Sequence, residues 1–466
     1  MDTPRMYVAL LLALTLGFLG YWLLNYYVFP LFDLVFIWAR EVSAATGGLT
    51  LVVVALIAAW KPALFGRVPV FSVTLSVLLA GALLIVSGFY FSSTALLLIG
   101  AWLSTAASGV VSVLTGIACT RMDPRGAGIS IAAAYVFAYV LRWLFVMLPD
   151  SAGFCAYIAA PLIALALIAF YVRPLLGHIF SAEPPVQAAI TRPASFLPFG
   201  NQVFVCLILF RFVYGYMLTF GEVGRVPLLT AFTIIPLAVL LIVKIFKKGE
   251  LNPDRLFPAA VLFIVASFLA LPIATANNGL IVNTLLSSGV GFFEVLLLFI
   301  FVALGSKNRA ISFVVLSWAY ALNSLATLVG ANFGRFINQN YESNPIVVSA
   351  LVAVVVLAFV AYILIALKDF SFMRTIEGLE SAEPSHPMRS YDDTPRFQDT
   401  CNALSDRYDL TAREREVFCL LARGRNSKVI QEELCISYNT AKAHVRHVYT
   451  KLGVHTQQAL IDLTEK

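Results

Sequence analysis

The chain has 466 residues, of which 60% are hydrophobic and 12% charged, and a formal net charge of +6. Soluble globular domains carry about 25% charged residues, so a wholly soluble fold is excluded. The net charge alone says nothing about nucleic acid, because Lys and Arg in a membrane protein first record topology.

Nearly all of the apolar excess precedes about residue 368. Two physically different domains are therefore expected, a membrane domain over 1–370 and a soluble domain over 405–466, joined by a linker over 371–404. Arg5 is followed by an apolar stretch to Phe29. That stretch exceeds the roughly 7–15 apolar residues of a signal peptide and lacks a small-residue cleavage site, so the first span is expected to stay attached.

A bilayer core of about 30 Å takes roughly 20 apolar residues in helical form. Twelve runs of that kind are predicted, near 7–29, 42–60, 69–90, 94–118, 127–148, 152–172, 201–221, 226–246, 256–275, 279–305, 310–330 and 346–367. Leu31 to Ala39 either extends the first span or lies along the outer surface.

Short cytoplasmic loops retain Lys and Arg, which sets the orientation. With the N-terminus inside, the inner side holds Arg5, Lys61, Arg67, Arg121, Arg125, Arg173, Arg192, Lys244, Lys247, Lys248, Arg255, Lys307, Arg309, Lys368 and Arg374. The outer side holds Arg40, Arg225 and Arg335. An even number of spans returns the C-terminal domain to the cytoplasm of a bacterial inner membrane. The connection from about Arg173 to Gly200 splits the spans six and six. In count and spacing this layout resembles the major facilitator transporters. The loop Lys61-Pro62-Ala63-Leu64-Phe65-Gly66-Arg67 lacks the acidic residue of that superfamily's usual loop motif, which counts against transport.

Charges inside spans are costly and point to function. Arg211 lies near the middle of the seventh span and Glu294 near the middle of the tenth, both cavity-lining helices by the transporter resemblance. Two readings are open for them, a structural ion pair or a ligand pocket. Arg142, the third candidate, stands about 9 Å from the outer end of the fifth span, within snorkelling reach of the surface. Aromatics gather around these positions (Tyr135, Tyr139, Trp143, Phe210, Tyr214, Tyr216, Phe292, Phe293), as packing residues or as walls for an aromatic or carboxylated ligand.

The cysteines (Cys119, Cys155, Cys206, Cys401, Cys419, Cys435) form no CxxC and pair with no His at ligand spacing. No catalytic constellation, phosphate loop, metal cluster or cofactor motif occurs, so no enzyme activity, metal or cofactor is expected. The linker is rich in acid, Ser and Pro (Glu377, Glu380, Glu383, Pro384, Pro387, Asp392, Asp393, Pro395) and reads as a flexible tether. Some thirty residues give it a mean reach of roughly 30 Å.

Local rules draw four helices at the C-terminal end. Thr411-Ala412-Arg413-Glu414 is a capping box that opens a helix through Val417, Leu420 and Leu421, ending at Gly424. Asn426 or Ser427 caps a short second helix with Ile430 and Leu434, and Ser437 caps a third, which is helix-turn-helix spacing. The third helix ends at Gly453, and Thr456 opens a fourth with Leu460 and Leu463. Along the third helix Ala441, Val445, Val448 and Leu452 form one apolar stripe. Tyr438, Lys442 and Arg446, with Asn439, Ala443 and His447 beside them, form a face that suits a major groove or simply faces solvent.

The ordered pattern Leu410-Thr411-x-Arg413-Glu414-x-Glu416-Val417, Leu421-Ala422-x-Gly424, Lys428-x-Ile430, Leu434-x-Ile436-Ser437, Thr440-x-Lys442-x-His444 and Lys451-Leu452-Gly453-Val454 resembles the LuxR-type DNA-binding domain. Val429 and Gln431 depart from it, where the family has Glu and Ala. The resemblance implies a four-helix domain whose third helix enters the major groove and whose fourth supports dimerisation. It places Lys442, Ala443 and Arg446 at the bases and Thr440 and His447 nearer the backbone. With the multi-span half, the chain resembles membrane-anchored LuxR-type regulators of gut actinobacteria. The expected architecture is all-α, a twelve-span bundle followed by the four-helix domain. The expected function is a one-component transcription regulator whose partners are double-stranded promoter DNA, membrane lipid, a small-molecule inducer and, on DNA, a second copy of the chain. The alternative is a major-facilitator-type transporter with a cytoplasmic regulatory tail.

Overall fold

The structure is a computed structural model that describes the chain apart from residues 1–2, 34–35, 37, 68, 181–201, 220–221, 224–225, 228–230, 248–250, 271–278, 308, 342–344, 369, 378–394, 423–429, 431–433, 435–437, 455–456 and 466. It divides into two units, Met1–Glu383 and Pro384–Lys466.

The first unit is helical because its apolar runs, rich in Leu, Ala, Val and Phe, can satisfy their backbone inside lipid only by helical hydrogen bonding. Its first six long helices are α1 (Thr3–Leu23), α2 (Ala39–Trp60), α3 (Val70–Tyr90), α4 (Thr94–Cys119), α5 (Pro124–Val146) and α6 (Asp150–Ile179). After residues 181–201 follow α7 (Gln202–Leu218), α8 (Ile234–Lys247), α9 (Pro253–Ala270), α10 (Gly279–Lys307), α11 (Arg309–Tyr341) and α12 (Pro345–Ala366). Among the described residues nine helices are long and apolar enough to cross a bilayer. Three shorter apolar segments, Gln202–Leu218, Ile234–Phe246 and Ala350–Ala366, sit in α7, α8 and α12.

Helix starts follow local chemistry. Ser93 accepts from the Leu96 amide to open α4, and Asp123 accepts from the Gly126 amide (2.9 Å) before Pro124 to open α5. The first span does not stop at Leu23, because a π-helical turn (Leu24–Val28) carries it into Phe29–Asp33. The stretch from Leu31 thus extends the first span, at least to Asp33.

The expected end of the eleventh span near 330 is corrected: α11 runs on to Tyr341. Past the apolar run, Asn332 and Asn340 donate to the carbonyls of Leu328 and Phe336 one turn back, which carries the helix on through polar sequence. Arg335, expected in an outer loop, is therefore helical.

Packing joins the two sets of helices chiefly through α2 and α4 against α11 and through α5 against α8 and α10. Within the second set, α7 crosses α11 at near backbone contact. A Cβ on Gly330 would fall 2.0 Å from the Phe212 carbonyl oxygen, and one on Gly215 2.1 Å from that of Thr327, so only glycine fits either position.

The expected flexible linker over 371–404 is also corrected at both ends. The short helix α13 (Phe372–Glu377) packs on the first unit, and Phe372 is buried there. In the second unit α14 (Pro395–Arg407) buries Cys401 and Ser405 completely, because the face carrying Cys401, Leu404 and Tyr408 finds an apolar core to cover. Residues 378–394 of the expected tether lie outside the described residues.

The second unit continues with α15 (Ala412–Ala422), α16 (Tyr438–Leu452) and α17 (Gln457–Glu465). Val417, Phe418, Ile430, Val448 and Leu460 are fully buried in one small core. Gly453, at φ +67°, ends α16 in the left-handed conformation that favours glycine. The expected caps at Asn426, Ser427, Ser437 and Thr456, the stop at Gly424, and the positions Lys428, Val429, Gln431 and Ile436 lie outside the described residues, as do Arg192, Arg225 and Lys248.

Candidate functional site

In the second unit the capping box is present. The Thr411 amide donates to Glu414 Oε2 (2.9 Å), and Thr411 Oγ1 accepts from the Glu414 amide (3.4 Å). The same carboxylate accepts from Lys451 Nζ (2.8 Å) near the end of α16, with His447 Nδ1 3.8 Å away. Lys451 Nζ also reaches the Asp409 carbonyl (2.8 Å). The Lys451 ammonium, helped by the Thr411 amide, holds the Glu414 carboxyl down to about 2. Glu414 is thus more than a cap: it ties the start of α15 to the last turn of α16 and so fixes the angle of that helix. Arg413 donates to the Leu434 carbonyl (2.8 Å), and Gln457 on α17 to that of Leu421 (3.0 Å), which brace the remaining elements.

With α16 held in this way, Val448 and Leu452 face the core and Val445 packs against it. Thr440, Lys442, Ala443, Arg446 and His447 are exposed. Tyr438 and Asn439 belong to the first turn of the same helix. The structure therefore places Val448 and Leu452 opposite the exposed Lys442, Ala443, Arg446 and His447 on one helix, and the side chains of Tyr438, Asn439 and Ala441 lie outside what is described.

In the first unit a cavity of about 270 Å³ lies among α1, α2, α4, α6, α7, α10 and α11, with Tyr135 of α5 also on its wall. Arg211 and Glu294 form an ion pair on this wall. Both residues line the cavity, and the glutamate side chain, 25% exposed against 2% for the arginine, is the more open member. Tyr21, Tyr135, Tyr214 and Tyr320 line the same wall and lie within electrostatic reach of Glu294. The predicted pair is thus brought together across α7 and α10.

Arg142 does not reach the surface, contrary to expectation. It is 4% exposed. Its guanidinium lies 4.0 Å from the Trp22 ring centroid, 4.3 Å from that of Tyr26 and 5.1 Å from that of Tyr139, and it donates to the Tyr26 hydroxyl. Cation–π attraction to three rings offsets desolvation, so the charge stays inside. The cavity wall includes Trp22 but not Arg142. Of the other aromatics named from sequence, Phe210 and Phe293 stack on each other beside the pair, and Phe292 stacks on Phe263.

Sequence reasoning missed a second pair on the wall, Arg335 Nη1 to Glu41 Oε1 at 2.7 Å, which joins α11 to α2. Its signal was present in Glu41, an acid at the edge of an apolar run. Lys451 was likewise read as part of a pattern and not as the partner of Glu414. Among the described residues no group of three or more His, Cys, Asp or Glu is placed to hold a metal ion.

Comparison with known proteins separates the same two parts. Residues 409–464 match the GerE family, bacterial regulatory proteins of the luxR family. The oxygen regulatory protein NreC of Staphylococcus aureus strain JH9 is 38% identical over 69 residues, which is 15% of this chain and 32% of NreC, and the same protein of strain JH1 matches equally. The chain thus spans about a third of the length of the curated relatives it matches. In structure, a bacterial homologue of the iron transporter ferroportin in its outward-facing state is similar at TM-score 0.52 and 13% identity, covering 77% of this chain and 99% of that one. FucP, a major facilitator superfamily transporter in the outward conformation, is similar at TM-score 0.50 and 14% identity, covering 80% and 99%. The chain therefore carries a luxR-family helix-turn-helix domain at its C-terminal end, after a helical membrane unit that shares the major-facilitator fold.

Proposed function

We propose that the chain is a membrane-bound one-component transcription regulator. The C-terminal domain binds double-stranded promoter DNA, and the membrane unit, held in lipid, binds a small-molecule inducer in the cavity that Arg211 and Glu294 line. The observation that carries this reading is the outward face of α16: Lys442, Ala443, Arg446 and His447 are exposed on a helix of a luxR-family domain whose opposite stripe is buried. On that reading Lys442, Ala443 and Arg446 face the bases, Thr440 and His447 stand nearer the DNA backbone, Tyr438 and Asn439 in the first turn complete the contact set, and two copies dock on paired half-sites.

The three shorter apolar segments complete twelve spans, split six and six, with both termini on the cytoplasmic face of the inner membrane. The sensing unit over 1–370 is extended by the docked segment to Glu377, and the DNA-binding domain over 405–466 is extended back to Pro395 by α14, which narrows the connection to the residues between them.

Footprinting with the full chain in detergent micelles, on fragments recovered from cells by cross-linking, tests the first half. Protection of discrete promoter segments is expected, and uniform or absent protection rejects the regulator. For the second half, Arg211→Ala is expected to abolish the transcriptional response to an active compound while the footprint persists.

A transport reading is favoured by one observation, the cavity inside a major-facilitator fold. Labelled solute moved by the reconstituted chain, and moved equally after deletion of residues 405–466, establishes that reading instead.

A further inference from the structure

The chain leaving α12 is clamped before it reaches the second unit. Asp254, in the first turn of α9, accepts through Oδ2 from the Ser371 hydroxyl (2.6 Å) and through Oδ1 from the Phe372 amide (2.7 Å). The Asp254 amide in turn donates to Asn252 Oδ1 (2.9 Å), which holds the carboxylate's own backbone. Phe372 is 3% exposed, with its ring 5.3 Å from Phe257 and 5.0 Å from Phe370. Ile376, one turn on, is buried in the same core. A carboxylate from one helix therefore caps the start of α13, and two apolar side chains seat it.

The helices that carry this dock also carry the cavity. α13 packs on both α9 and α10. α10 holds Glu294 on the cavity wall, and its end at Lys307 lies about 20 Å further along the helix. α9 lies tightly on α10: Phe263 stacks on Phe292 at 5.6 Å, and a Cβ on Gly289 would fall 2.9 Å from the Ala260 carbonyl oxygen. Surfaces packed this closely shift together, not separately.

We propose that the segment from Ser371 to Glu377 is the coupling element between the cavity and the DNA-binding unit. Asp254 is its positioning residue, and disturbance of the Arg211–Glu294 pair releases the dock through α10 and α9. Release adds residues 371–377 to the length of chain between α12 and the DNA-binding unit and so widens the volume that unit can search. This rests on the ligand-responsive regulator reading above.

Hydrogen–deuterium exchange on the full chain in detergent micelles, without ligand, tests it. Asp254→Ala is expected to speed exchange of the amides of 372–376 at least tenfold. Glu294→Gln is expected to speed the same amides several-fold, whereas Arg142→Leu, a change at a more deeply buried charge in α5, leaves them unmoved. Unchanged exchange in Asp254→Ala overturns the dock, and unchanged exchange in Glu294→Gln overturns the coupling. Unaltered exchange across α2 serves as the fold control. Where Asp254→Ala fails it, Ser371→Ala, which removes only the hydroxyl donor, carries the test with an expected threefold rise, and no rise overturns the dock. A failure of the regulator reading shows separately, as absent DNA protection by the unsubstituted chain, and leaves the exchange result standing.

Discussion

Loss of the lysine that ties α15 to α16 should weaken the DNA-binding unit by an amount the structure bounds. Glu414 is 7% exposed and accepts from Lys451 Nζ at 2.8 Å and from the Thr411 amide at 2.9 Å. Holding its carboxyl at about 2 instead of the ordinary 4.5 corresponds to about 3 kcal/mol, at about 1.36 kcal/mol per pH unit. The lysine is 36% exposed, and solvent screening of that end reduces the expectation to roughly 1–2 kcal/mol. Because the folded value is depressed, this stability is fully present above about 4.5 and is lost as pH falls through the interval toward about 2. Urea unfolding of the soluble unit, residues 384–466, followed by circular dichroism from pH 7 to pH 2.5, should show that slope. Lys451→Ala should flatten it and lower stability at pH 7, whereas in a Glu414→Gln background the same change should cost much less. Equal stability at pH 6 and pH 2.5, or full additivity of the two substitutions, refutes the assignment.

Lys442→Ala or Arg446→Ala should weaken operator binding by about 1–3 kcal/mol for each lost base contact, and a lost phosphate contact should mainly flatten the salt dependence of binding. Unchanged binding isotherms for both variants exclude this face. Arg142→Leu should free the Trp22 indole from its cation, detectable as a shifted emission difference between chains with and without Trp22→Phe; an unaltered difference spectrum argues against the aromatic cage. Gly330→Leu should prevent α7 from seating on α11, since even a Cβ falls 2.0 Å from the Phe212 carbonyl. Recovery of monodisperse protein at the usual yield in detergent speaks against so close a crossing.

Most of the span positions were legible because the membrane enforces one rule, a continuous apolar helix, that a single sequence displays. The helix-turn-helix was legible for a related reason: Thr411, Glu414, Gly453 and the stripe Val445, Val448 and Leu452 each obey a local rule within a few residues. What escaped depends on partners distant in the chain. The cage around Arg142 needs Trp22 and Tyr26, contributed by the first span. Likewise, Glu41 meets Arg335 across 294 positions, so the acid at the edge of its apolar run marks a charge that needs a partner without showing which. α14 was read as tether because its composition is polar, yet Cys401 and Ser405 are fully buried once α15 and α17 are there to pack against. Composition reports whether a segment can build a core alone, not whether it can cover one already built.

Among the described residues of the membrane unit, the buried Arg142 and Arg211 and the nearly buried Arg335 solve the same desolvation problem in different ways, and the difference decides which of them a ligand can address. Arg142 is satisfied by three aromatic rings and a phenol, with no acid and no place on the cavity wall, so nothing entering the cavity meets its charge. Arg335 is satisfied by Glu41, with both side chains nearly buried at 13% and 10% exposure, across the junction of α2 and α11. Arg211 differs because it lines the cavity and its partner is the more open member of the pair. A molecule that drew Glu294 away would leave Arg211 alone in an apolar wall, a loss on the order of 3–5 kcal/mol. Binding that is to be favourable must therefore either supply an acceptor to Arg211 or shift the pair as a unit. Shifting it as a unit moves α7 and α10 together, and α10 is the helix on which the C-terminal segment is seated.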